Sequence, residues 1–101
     1  MMSMLRIAAF LFLFLILVNS SSRATAVCIG DWSIAAPIVH RERLATVEAL
    51  SRIAAEEVSG SVIVRTALCE ENGSFFYRIV MRDERGRLTS RTVDARNPFG
   101  R

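Results

Sequence analysis

Histidine occurs once in the 101 residues, as His40, and cysteine twice, as Cys28 and Cys69. One imidazole and two distant thiols cannot supply the roughly three or four protein ligands of a zinc site. His40 falls at the edge of a stretch without periodicity, where a solvated or capping histidine is a better reading than a catalytic base. Asp83, Glu84 and Asp94 are the acids that could converge at one end of a hairpin pair. Three carboxylates alone would reach even the low end of the about six to eight oxygens that calcium takes only if each bound through both oxygens, so they read as solvated turn residues. The sequence therefore predicts no enzymatic activity, no metal and no cofactor. Lysine is missing altogether: all 13 basic residues are arginine, which fits coding bias as well as any need for the planar guanidinium fork. Internal repeats and low-complexity linkers are also missing, so neither a solenoid nor a string of modules is in view.

What the chain has in abundance lies at its start. Arg6 precedes an unbroken apolar run over residues 7–18, followed by polar residues and the small-residue ending Ala24-Thr25-Ala26. This is the layout of a secretory signal peptide with its cut after Ala26. At about 1.5 Å per helical residue the run reaches roughly 18 Å, short of a hydrocarbon core about 30 Å thick. The competing reading is an uncleaved anchor, lengthened through the Met-rich start. Cleavage leaves 101 − 26 = 75 residues, one small domain whose core alone supplies only a few kcal/mol. In the oxidising compartment that export implies, Cys28 and Cys69 read as one disulfide. The loop closes 69 − 28 = 41 steps, worth on the order of 4 kcal/mol in the chain-entropy account. A lipid-modified Cys28 is the alternative, although Val27 stands where such signals want a small residue. The expected location is periplasmic or secreted, with membrane contact only transiently through the signal segment.

Charge removes a class of partner. Without Arg6 and Arg23 the mature chain has 11 basic and 10 acidic residues, a balance of 11 − 10 = +1, and a near-neutral small domain is a poor phosphate binder. Nucleic acid is not expected. The distribution is uneven, because residues 78–101 hold seven arginines against three acids. One end of the fold is electropositive.

Residues 27–40 have no sustained period, and Pro37 biases Ala36 away from helix, so the sequence predicts an irregular N-terminal arm there. Across residues 41–101 it predicts an α+β domain. Leu44, Val47, Leu50, Ile53, Ala54 and Val58 recur at helical spacing, opposite a charged face, and Gly60 is the expected left-handed stop. The period then falls to two. Asn72-Gly73 marks a type I′ hairpin turn, and the register it sets pairs Leu68 with Tyr77, Thr66 with Ile79 and Val64 with Met81 on one apolar face. Glu84-Arg85-Gly86 makes a second hairpin that pairs Tyr77 with Val93 and Ile79 with Arg91. The predicted architecture is one amphipathic helix packed on a three-stranded antiparallel β-meander, preceded by an N-terminal signal helix.

This order of helix, glycine, strand, Gly turn, aromatic-x-Tyr strand, Gly turn and closing strand resembles the PepSY domain. The match runs through Thr46, Glu48, Ala49, Ile53 and Ala54, then Gly60, Val62, Val64 and Leu68. It continues through Gly73, Phe75, Tyr77, Ile79, Gly86 and Val93-Asp94-Ala95. The family has proline before the helix-stopping glycine, where this chain has Ser59, and a small-residue turn where this chain has residues 96–100. The resemblance implies a non-catalytic exported module that binds a protein, with restraint of an envelope peptidase as one role, and it carries over no catalytic or cofactor residue.

The register leaves a second sheet face, on which Ile63 meets Arg82, Arg65 meets Val80, Ala67 meets Arg78 and Cys69 meets Phe76. Arginine and aromatic groups are the usual anchors of protein interfaces, so Arg65, Phe76, Arg78, Val80 and Arg82 are the candidate protein-binding residues. The plainer account is an ordinary half-apolar face, or one that the arm folds over. A Cys28–Cys69 bond would draw the arm across that face and bring Trp32 to the Phe76 and Val80 strip. The alternative to a binding module is a small structural envelope protein tethered by an uncleaved N-terminal segment.

Overall fold

The Asn72-Gly73 turn organises the sheet. In the computed structural model, which describes residues 25–101, these residues have φ of 52° and 79°, the two positive values a type I′ turn requires. They join β2 (Val62–Glu71) to β3 (Ser74–Arg82), and Leu68↔Tyr77, Thr66↔Ile79 and Cys69↔Phe76 pair as the turn predicts. Nothing lies near a Cβ built on Gly73, so a substitution there meets only backbone strain. Gly73→Val is expected to cost more than about 1 kcal/mol, read as a lowered melting temperature, because a β-branched residue is strongly disfavoured at positive φ. The expected signal segment lies outside the described residues apart from Thr25 and Ala26. Among the described residues no helix is long and apolar enough to cross a membrane.

The second hairpin leads into β4 (Leu88–Asp94), with Tyr77↔Val93 and Ile79↔Arg91 in register. Asp83 ties the turn: its carboxylate accepts from the backbone N–H groups of Arg87 and Arg85 and from the Arg87 guanidinium. These bonds, that of the Arg87 N–H foremost, hold the Asp83 carboxyl below its usual range. Arg91 shares the core side of the sheet with Ile79, yet its guanidinium stays in solvent at the edge and sits 5.0 Å above the centre of the Phe99 ring, a cation–π contact.

The expected irregular arm is ordered instead, and the sheet has four strands rather than three. Val27–Ile29 form β1, antiparallel to β2, giving the order β1-β2-β3-β4. A helix, α1 (Trp32–Arg41), follows. Asp31 caps it, accepting from the Ser33 N–H at 3.0 Å, and Trp32, Ala35 and Val39 recur at three- and four-residue steps to form its packed stripe. Pro37 lies inside α1. It removes one helical hydrogen bond, but it stands on the exposed side, and the packed stripe outweighs it. The second helix, α2, covers Val47–Glu57, with Thr46 accepting from the Ala49 N–H. It begins six residues later than the predicted domain start at residue 41. Leu44 is buried from the link between helices, not from α2.

Both helices cover one face of the sheet. Ala35, Val39, Leu44, Leu50 and Ala54 meet Leu68, Tyr77, Ile79, Met81, Val93 and Ala95 in a single core. Tyr77 is fully buried and its hydroxyl donates to the Ala45 carbonyl at 2.5 Å. Two expected pairings fail: a bulge between Ile63 and Arg65 sets Ile63 opposite Met81 rather than Arg82, and brings Val62 opposite Arg82. Val64 takes the extra position, exposed, instead of facing Met81. Val62, Ile63 and Val64 are all apolar, so alternation gave that stretch no preferred phase. Past β4 the chain closes with a 3-10 turn at Pro98–Gly100 that buries Pro98, and Arg101 reaches Glu56 and Glu57 of α2.

Candidate functional site

Side chains alternate along a strand, so the residues that flank Tyr77, Ile79 and Met81 in β3 point away from the helices. They are Phe76, Arg78, Val80 and Arg82. Cross-strand pairing extends each into a row. Cys28, Cys69, Phe76 and Asp94 form the first, Ala67, Arg78 and Thr92 the second, Arg65, Val80 and Ser90 the third, and Val62, Arg82 and Leu88 the last. The five sequence-predicted residues therefore share one continuous patch. Phe76 and Val80 are half-buried, and the three arginines are exposed.

Arg65 lies directly opposite Val80, hence diagonal to Arg78 and Arg82 at about 7–8 Å between backbones. The three cations surround one valine. None of them forms an ion pair among the described residues; Arg43, Arg52, Arg85 and Arg91 likewise form none, whereas Arg41, Arg87, Arg96 and Arg101 do. Three like charges held this close repel, and an incoming anion relieves that repulsion. Val62 and Leu88, 57% and 65% exposed, flank Arg82. Sequence reasoning named neither: Val62 reaches this face only through the bulge, whereas Leu88 already lay opposite Arg82 in the predicted β3–β4 register.

The disulfide is present between Cys28 and Cys69, but it does not draw the arm over the patch. The two cysteines are direct cross-strand neighbours, so β1 joins the sheet edge in plane. The chain then turns at Gly30 and Asp31 onto the helical side. Trp32 consequently sits on the core face, where its ring lies 6.4 Å from that of Tyr77 and its Nε1–H donates to the Thr66 carbonyl at 3.3 Å. The expected contact with Phe76 and Val80 is not made. Among the described residues, both helices lie on the opposite side and neither covers the outer face, which is open around Arg65, Arg78 and Arg82 and closed only at Cys69.

Elsewhere, α1, α2 and their link enclose an open groove of about 880 Å³, lined by Trp32, Val39, His40, Arg43, Leu44 and Val47 among others. It depends on α1 and so could not be foreseen from an arm read as irregular. His40 is exposed near the end of α1. Asp83 and Asp94 stand at opposite ends of the β3–β4 ladder, so the three turn carboxylates do not converge as the sequence allowed. Among the described residues no group of three or more His, Cys, Asp or Glu is placed to hold a metal ion. Comparison with protein-family models, with curated proteins and with solved structures finds no match to the chain.

Proposed function

We propose that this chain is a non-catalytic, exported binding module that meets a protein partner with the outer face of its sheet. The observation that carries this reading is the patch itself, which no described element covers. Three arginines with no ion pair among the described residues surround Val80 beside Phe76, with Val62 and Leu88 exposed at its end. Apolar groups ringed by guanidinium groups suit an interface centre, since arginine and aromatic side chains supply most hot-spot energy. The disulfide accords with an exported chain. The resemblance to PepSY domains suggests an envelope peptidase as the partner and restraint as the action, with catalysis left to that partner.

The test uses a photoreactive side chain placed at Val80 and, as a control on the helical side, at Arg52 of α2. Irradiation in envelope extract is expected to give a defined cross-linked species from position 80 and none from position 52. Arg78→Glu together with Arg82→Glu should remove it. Equal labelling from both positions, or none from position 80, would refute the proposal.

A further inference from the structure

We infer that the free edge of β4 takes up an extended segment of the partner, bearing carboxylates at alternate positions, as a fifth strand of the sheet. The inference rests on the proposal that the outer face binds protein, and it specifies both the mode and the chemistry of the partner.

The two edges of the sheet differ. β1 has three residues, whereas β4 pairs with β3 over seven continuous positions without bulge or proline, and among the described residues no strand lies on its other side. Hydrogen-bond phase identifies which groups are free. Asp83 N–H donates to the Arg87 carbonyl at 2.9 Å and Ala95 N–H to the Phe75 carbonyl at 3.1 Å. In an antiparallel pair such bonded positions alternate. Thr89, Arg91 and Val93 therefore turn their backbone groups toward β3, and Leu88, Ser90, Thr92 and Asp94 turn theirs outward. An unpaired row of this kind is a template for strand addition.

The same four residues carry their side chains on the outer face. Thr92 stands between Arg78 and the edge, Ser90 between Val80 and the edge, and Leu88 beside Arg82. A strand added at β4 lies about 10 Å from β3, two strand spacings away. Arg78 can reach across the small Thr92, and Arg82 along the apolar surface of Leu88, to meet carboxylates projecting on that face of the incoming strand. The arginines thus select an acidic extended segment over a neutral or basic one. Symmetric pairing of β4 with a second copy is disfavoured in the register that would set the copy's only β4 carboxylate near Arg82. The register that brings Asp94 of the copy beside Leu88 sets Arg91 opposite Arg91, like charges in direct opposition.

The probe is an acetylated peptide of alternating glutamate and valine, titrated into the isotope-labelled protein while amide exchange is followed. Exchange is expected to slow at Ser90, Thr92 and Asp94, with Thr89, Arg91 and Val93 unaffected. Arg78→Gln with Arg82→Gln should weaken binding about tenfold or more, and peptides with lysine for glutamate, or with N-methyl groups on the edge-facing amides, should not bind. If the peptide shifts outer-face signals while the β4 amides exchange at the free rate, edge addition is wrong and the face-binding proposal stands. If the peptide binds nowhere, the inference is wrong, and the cross-linking experiment judges the proposal separately. Equal protection by phosphatidylglycerol vesicles would show recognition of charge alone. Protection that grows with protein concentration without peptide would show self-pairing. Either result overturns the inference.

Discussion

Replacing both cysteines, Cys28→Ala with Cys69→Ala, is expected to remove on the order of 4 kcal/mol of stability. Alanine is preferred to serine because Cys69 is fully buried, and a hydroxyl there would add an unsatisfied group. The effect should be local in origin. β1 is three residues long at a sheet edge, so little else holds it, and α1 follows directly from it. Trp32 reports the outcome, since its ring packs near Tyr77 and its indole N–H is hydrogen-bonded. In the variant, as in the reduced wild type, emission should move toward that of solvated indole and the melting temperature should fall steeply. An unchanged melt would mean that β1 and α1 are held by their own contacts.

Tyr77→Ala is expected to cost about 3–5 kcal/mol, as for other large aromatic truncations in a core, which in so small a domain approaches complete unfolding. Urea denaturation followed by circular dichroism measures it. Tyr77→Phe isolates the hydroxyl, whose bond to the Ala45 carbonyl should contribute about 1 kcal/mol. Burial pushes the Tyr77 phenol up from 10.0 to about 12. Because the folded state holds its proton more tightly than the unfolded chain, this contribution is complete below pH 10 and is lost as pH rises from there toward 12. Tyr77 is the only tyrosine, so phenolate absorbance follows its titration directly. Wild type should weaken across that interval more than Tyr77→Phe does. Parallel pH profiles would show that the hydroxyl titrates alike in both states.

The parts of the fold legible in the sequence were those set by short-range chemistry. Asn72-Gly73 fixed the β2–β3 register near the turn, Gly86 fixed that of β3 and β4, and both survive in the pairings of Tyr77 with Leu68 and Val93. The same turns brought Phe76, Arg78, Val80 and Arg82 to one face and set Arg65 beside them. Where two local signals conflicted, the reading failed. Residues 27–40 read as having no period, with Pro37 against a helix, although Asp31 is a cap and Trp32, Ala35 and Val39 have helical spacing; packing on the core that holds Leu68 and Tyr77 decides for the helix. The bulge at Val64 lies in a run of three apolar β-branched residues that fits either phase. The Cys28–Cys69 bond was legible as a pair, but not as an in-plane neighbour contact. That geometry depends on β1, which three residues cannot announce.

The placement of the two cysteines also sets an order of events during synthesis. Cys28 leaves the ribosome 41 residues ahead of Cys69, and the whole chain holds no third cysteine. Its thiol therefore has no wrong partner within its own chain, only a wait. The hairpins close by local contacts, while β1 must find β2 from across both helices, a slower search by its longer chain separation. Until it succeeds, a bond to another molecule is the only wrong disulfide open to Cys28, so mispairing in this domain is expected to run between molecules rather than within one.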